Sequence, residues 1–336
     1  MNTARQSAAR LIDESLGFLF PAALRAAAAV RVADYMADDD ESVERLAEVT
    51  GTDARNLGRV LRLLATRGVV EETATGRFRL TTTGQALRSD APHSARAAIL
   101  MLTDATMWRP AGEMHRCLTD GGSAFTDIFE TSFFDYFARD AETAAVFHDG
   151  MAAMSDHENE PIAQAYDFPP TGTVVDVGGG HGGLLLEVLR RQPGLHGVLH
   201  DQTHVLADHR LGDHDDIAGR WSTAGGDFFS TVPTGDIYLI KRILHDWNDE
   251  QSAVILRNCR RAMAPGGRIL VIDAVVPPGN RPHQSKTLDL MMMSSFVGRE
   301  RTEEDFVRLL GEAGLRLRRI VPTSTVLSIV EAVSGE

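Results

Sequence analysis

The stretch Val174-Val175-Asp176-Val177-Gly178-Gly179-Gly180-His181-Gly182-Gly183 constrains this chain more than any other. Its apolar start, holding Asp176, reads as a buried strand. The glycines that follow let the backbone turn sharply and pass close to a ligand. GLLLEVLRRQ then has the apolar spacing of a helix. Strand, glycine turn and helix in that order predict a ligand crevice in a doubly wound α/β sheet. A turn that held no ligand would not need so many glycines.

The pattern continues downstream in the same alternation. HGVLHD, the region around RWSTAGGDF, DIYLIKR and RILVIDAVV read as strands, and VLADHRL, DEQSAVILRNCRRAM and TEEDFVRLLGEAG as helices. The chain closes on LRLRRIVPT and VLSIVEAV, separated by too few residues for a parallel crossover. The expected fold is therefore α/β, a Rossmann-like doubly wound sheet ending in an antiparallel strand pair. Upstream of the break DFPPTGT the chain is mainly helical. LGFLFPAALRAAAAVRVADYM suits a helix with Leu16, Leu19, Leu24, Ala28 and Val32 in one buried stripe. SVERLAEVTGTDARNLGRVLRLLATRGVVEETATGRFRLTTTGQAL reads as helix, turn, helix and hairpin, a winged-helix pattern with Thr52 or Asp53 capping the second helix and Gly68 ending it. Three regions follow: residues 1–100, helical and winged-helix; 101–168, a helical connector; and 169–336, the α/β sheet domain.

Charge narrows the function. A net charge of −13 repels a phosphate backbone, so no nucleic acid is expected despite the arginines Arg55, Arg59 and Arg62 on the second winged-helix helix. A ligand-sensing DNA-binding regulator stays open as the reading from a different class. No apolar run approaches the ~20 residues of a membrane span, and the first residues lack the unbroken apolar stretch of an export signal. Cys117 and Cys259 have no metal or disulfide spacing. A cytoplasmic enzyme with no metal and no membrane partner is expected.

Two cofactor classes fit the glycine turn. Gly178, Gly180 and Gly183 satisfy the dinucleotide pattern GxGxxG, while Asp176, Gly178, Gly180 and Gly182 satisfy the acidic-x-Gly-x-Gly-x-Gly pattern of S-adenosylmethionine (SAM) enzymes. Asp201, at the end of the second strand, suits the ribose hydroxyls of either. Asp227 and Phe228 end the third strand, where a carboxylate can accept from an adenine amino group and a ring can lie against the base. That pair and the terminal hairpin favour SAM. His245 follows the fourth strand in DIYLIKRILHDWNDE, beside the predicted crevice, and imidazole suits proton abstraction near neutral pH.

Together VDVGGGHG, HD at the second strand end, GDFF, LIKRILHDWND, AMAPGGRILVIDAVVP and GRERTEEDF resemble the small-molecule O-methyltransferases of the plant caffeate/flavonoid and acetylserotonin type, a family with members in bacterial antibiotic pathways. The resemblance covers nearly the whole chain. It implies transfer of a methyl group from SAM to a hydroxyl of a small aromatic acceptor by a homodimer joined through its N-terminal region. It implies His245 as general base, held by Asp273 and Glu300, of which Asp273 is a methylene shorter than the glutamate usual in the plant enzymes. It places Lys241 and Asp227 on the adenine side, Asp201 at the ribose, Gly178 by the methionine portion and Ser155 near its carboxylate. Met292, with Met101, Met151 and Phe147, falls where the family grips a flat acceptor ring. Leu102 stands where plant enzymes carry a hydrogen-bonding asparagine, which points to a different aromatic scaffold. Some relatives use the same pocket for hydroxylation or decarboxylation, and that remains the alternative chemistry.

Overall fold

The computed structural model describes residues 2–36 and 39–335 and divides into two compact units. The first comprises Met1–Trp108 with Asp140–Met154; the second comprises Arg109–Arg139 with Ser155–Glu336. The expected connector, 101–168, is thus shared between them, and the helix Ala141–Ala165 begins in one unit and ends in the other.

In the first unit, β1 (Glu41–Ser42), β2 (Val70–Ala74) and β3 (Arg77–Leu80) form an antiparallel wing in the order β1-β3-β2 beside the helices Val43–Thr50 and Ala54–Ala65. Asp53, not Thr52, caps the second helix, its Oδ1 accepting from the Asn56 backbone N–H at 2.9 Å. Gly68 follows the helix end with a φ of 68°. Leu46, Leu57, Leu61, Leu64 and Phe78 fill the core between helices and wing. The expected single stripe on the preceding segment is broken. The helix stops at Ser15 and a new one starts at Leu19, so the helical spacing is lost between them. Ala23, Ala27, Ala28 and Val32 are buried, whereas Leu16 and Leu19 are exposed, in one group with Leu11, Ile12 and Phe18.

The second unit is built on β4 (Gly172–Val177), β5 (Leu195–Asp201), β6 (Trp221–Gly225), β7 (Gly235–Lys241), β8 (Met263–Ala274), β9 (Leu315–Pro322) and β10 (Leu327–Ser334), ordered β6-β5-β4-β7-β8-β10-β9. Strands β4 to β8 pair in parallel, and β10 runs antiparallel to both β8 and β9. Alternate residues serve opposite faces: Val174 joins one core cluster with the helix Gly183–Arg191, while Val175 and Val177 join the other with the helices Asp249–Ala262 and Glu303–Glu312. The expected helix at 205–211 shrinks to Thr203–Leu206 followed by two 3₁₀ turns. Its buried anchors, Leu206, Leu211 and Ile217, lie too far apart to share a helical stripe. The chain leaves β4 first toward β5 and β6 and then crosses to β7, so the strand order reverses at β4. Ligand crevices in such sheets open at that reversal, outside the carboxyl ends of the strands.

Candidate active site

Every residue of the glycine turn, the Lys241 cluster and the His245 loop described below belongs to the second unit. Strand β4 ends at Val177, and Gly178 turns the chain with a φ of 66°. A Cβ on Gly178 would lie 2.6 Å from Cδ1 of Ile243 and 3.6 Å from the Phe228 ring. Only glycine fits both the conformation and the contact. The turn is tied to β5 through Asp201, whose Oδ2 accepts from the Gly180 N–H at 2.9 Å. Asp176 lies beneath it, buried, with Oδ2 lacking any hydrogen-bond partner. Burial pushes its carboxyl up to about 7 against the opposing pull of Lys241. Asp227 is exposed past the end of β6, with Oδ1 accepting from the Phe229 N–H at 2.8 Å, and Phe228 is half-buried.

Lys241 ends β7 and points back at this turn. Its ammonium donates to Ser155 Oγ and to Asn159 Oδ1, the latter at 2.6 Å, and lies 3.9 Å from Glu158. Ser155 and Lys241 therefore share one place rather than opposite ends of a ligand. Desolvation lowers the lysine to about 8, partly offset by Glu158. Arg242, buried and with a φ of 54°, forms a two-bond pair with Glu158 at 3.0 and 2.5 Å. That left-handed turn departs from the strand geometry that precedes it and leads into the base loop.

His245 lies on the short 3₁₀ turn Leu244–Asp246 and is almost fully buried. Its Nδ1 is 2.9 Å from Glu300 Oε1, and its Nε2 is 3.5 Å from Asp246 Oδ1. Burial lowers the imidazole's proton affinity, but Asp246, Glu300 and Asp273 outweigh it and raise the pKa from 6.5 to about 9. Asp246 in turn is pushed up to about 7 by burial. Asp273, buried on β8, makes no hydrogen bond with either oxygen, and burial lifts it to about 6. Of the two expected partners of His245, Glu300 makes the bond and Asp273 contributes only charge. Sequence reasoning missed Asp246, although its place beside His245 was visible, and missed Glu158 and Asn159, whose pairing with β7 is set only by the fold.

The residues expected around the acceptor divide between the units. Met101, Phe147 and Met151 belong to the first, where Met101 is buried so close to Gly150 that a Cβ there would lie 2.3 Å from it. Met292 belongs to the second, buried on the helix Gln284–Ser295. An aromatic cluster that the sequence did not reveal adjoins the His245 loop: Trp247 stacks on Phe134 at 5.8 Å, and Phe296 packs on Phe133 at 4.2 Å. Among the described residues, no group of three or more His, Cys, Asp or Glu side chains could hold a metal ion. No helix among them is long and apolar enough to cross a membrane.

The O-methyltransferase domain model matches residues 112–316, and the O-methyltransferase dimerisation domain model matches 12–90. The chain belongs to the O-methyltransferase family. It is 40% identical to the phenazine O-methyltransferase PhzM of Lysobacter antibioticus, over 96% of this chain and 95% of that protein. Similarity to the O-demethylpuromycin-O-methyltransferase of Streptomyces alboniger is 35% identity over 96% of this chain and 88% of that one. The crystal structure of CalO1, a methyltransferase in calicheamicin biosynthesis in its SAH-bound form, superposes with a TM-score of 0.92 at 53% identity, covering 98% of each chain.

This chain is a SAM-dependent O-methyltransferase. The residues fit the cofactor. At Gly180 the turn has a φ of 57° and nothing lies within 4 Å of where a Cβ would stand, so a ligand can approach the backbone there. Asp176 and Asp201 supply carboxylates for a cationic, hydroxyl-bearing ligand, and Lys241 supplies the cation for a carboxylate. Replacing Asp201 with Ala should weaken SAM binding, measured by calorimetry, by about 1–3 kcal/mol, the cost of leaving hydroxyl groups unpaired. Replacing Glu300 with Gln removes the charge that helps raise His245, so the imidazole's pKa should fall toward 6.5. The alkaline-side rise in kcat/KM should then shift to lower pH, and an unchanged profile would contradict the pairing.

Proposed function

We propose that the enzyme methylates a hydroxyl of a small aromatic acceptor, with His245 as general base. The observation that carries the proposal is the position of the His245 loop: Ile243, two residues before the base, packs over Gly178 of the cofactor turn. When bound, SAM supplies an electrophilic methyl group on a positively charged sulfur, so the protein's task is to align and deprotonate the acceptor. Glu300 fixes Nδ1 and leaves Nε2 for the acceptor hydroxyl. Asp246, 3.5 Å from Nε2, gives way to the acceptor. Its withdrawal lowers the imidazole's proton affinity as the base is needed. The carboxylates of Glu300 and Asp273 stabilise the imidazolium that forms.

An aromatic acceptor is supported by the stacked Trp247 and Phe134 beside the base loop and by the phenazine of the Lysobacter relative. Ser155 and Lys241 together suit the methionine carboxylate of the cofactor, Asp201 its ribose, and Asp227 with Phe228 its adenine. Met292, buried on the helix Gln284–Ser295 of the second unit, suits the face of the acceptor's ring. We place the enzyme in the cytoplasm, with no metal in its mechanism and no nucleic acid or membrane as partner. Two copies join through the N-terminal region, where Leu11, Ile12, Leu16, Phe18 and Leu19 are exposed in the single chain.

His245→Ala should reduce single-turnover methyl transfer by about 10²- to 10⁴-fold at saturating SAM and acceptor. Its SAM affinity should stay near wild type. The product's mass separates methylation from hydroxylation, and a rate within a few-fold of wild type would remove His245 from the base role. For the dimer, Leu16→Asp with Leu19→Asp should yield monomers in sedimentation velocity, since a carboxylate cannot be buried unpaired at an apolar interface. An unchanged dimer would place the interface elsewhere.

A further inference from the structure

The segment Gly298–Arg301 does more than present Glu300. The Arg301 guanidinium is almost fully buried, and it brackets the base. Its Nη1 donates to the Leu244 carbonyl at 2.7 Å and its Nη2 to the Trp247 carbonyl at 3.0 Å, the residues on either side of His245–Asp246. Nη2 also donates to Ser252 Oγ at 3.0 Å, and Ser252 Oγ itself reaches the same two carbonyls at 3.2 and 3.3 Å. Asp249 Oδ1 neutralises the cation, accepting from Nε at 3.0 Å and Nη2 at 2.9 Å. Arg301 is in turn anchored to the chain beyond β8, its carbonyl accepting from the Val276 N–H at 2.9 Å. Gly298 completes the contact from the other end of the segment. A Cβ there would lie 1.9 Å from the His245 carbonyl oxygen and 2.5 Å from the Asp246 carbonyl carbon.

We propose that Gly298 and Arg301 are positioning residues that clamp the backbone on both sides of His245, setting the imidazole against Glu300. This rests on the reading of His245 as the base. The physical reason is geometric. The loop 244–247 is too short to fix its own shape, and its carbonyls are buried, so they require donors. A planar guanidinium satisfies both carbonyls with one rigid group, which a lysine ammonium cannot reproduce. Because Glu300 precedes Arg301 directly, the same segment sets the carboxylate and the ring that it holds.

The test reads the ring itself and needs no acceptor. In ¹⁵N-histidine-labelled holoenzyme with SAM, the His245 signal is identified by its loss in His245→Gln and titrated by NMR. The groups facing the ring are Asp246, Glu300, Asp273 and Arg242, and the variants leave all four in place. Arg301→Lys, which keeps the charge but not the fork, and Gly298→Ala, which forces the two backbones apart, should loosen the pairing with Glu300. The inflection should then move toward 6.5 by about half a pH unit or more, while calorimetric SAM affinity stays within about twofold. Ser252→Ala, a small change that should not unfold the protein, should shift the ring in the same direction by less, and it decides the matter if the other two do not fold. Wild-type titration in every folded variant would overturn the clamp, as would a loss of SAM affinity in step with the shift, since that marks general support of the fold. If the ring shifts as expected but His245→Ala still transfers methyl at the wild-type rate, the clamp stands and the base assignment fails.

Discussion

The site depends on the parallel pairing of β4 with β7. Their register sets Asp176 opposite Leu239. The chain beyond β7 then carries Ile243 over Gly178. The cofactor turn and the base loop are thus neighbours because of ladder hydrogen bonds formed deep in the sheet. A register slip would reverse the faces of the apolar side chains that serve the two core clusters, so those clusters protect the alignment. Core packing in this unit is in that sense part of the catalytic geometry.

Around this frame the protein buries an unusual concentration of charge. Arg242 with Glu158, Lys241 beside Glu158, and Arg301 with Asp249 are each paired, which offsets much of the cost of removing them from water. Asp176 and Asp273 are less well provided for. Asp176 has one orphaned oxygen and Asp273 has two, and burial raises both toward neutrality. Raised carboxyl pKa values are the cheaper alternative to an uncompensated buried charge. Their positions differ in consequence. Asp176 lies under the glycine turn, where a cationic ligand favours its ionised form. Asp273 lies near the base, where an imidazolium does the same.

What could be read in advance was what local pattern encodes. The glycine turn, the parallel strands and the closing hairpin follow from apolar period and turn residues. His245 stood out because it sits just beyond a strand that ends at the crevice. Glu300 came from the resemblance, and its carboxylate lies 2.9 Å from the His245 ring across 55 positions of sequence. Arg242–Glu158 spans 84 positions, and neither residue carries a local signal of its partner. The clamp by Arg301 was hidden for the same reason, since an arginine in GRERT reads as solvated until its burial is known. The leucine stripe at Leu16 and Leu19 misled because helical spacing was extended through a break.

On the proposed reading of His245 as the base, the carboxylates around it present a trade-off that the acceptor itself resolves. A higher pKa makes the imidazole a stronger base but leaves less of it neutral, and general-base catalysis works best with a pKa close to the working pH. With Asp246, Glu300 and Asp273 all facing it, the free ring lies at about 9, on the protonated side at neutral pH. Asp246 is the one of the three on the Nε2 side, at 3.5 Å, where the reacting hydroxyl must go. An acceptor entering there removes that contribution and brings the ring toward neutrality. Glu300 stays on Nδ1 to receive the imidazolium when the proton arrives. On that reading, an acceptor that displaces Asp246 sends the ring's proton to that carboxyl, which burial has raised to about 7, and leaves Nε2 to accept from the hydroxyl.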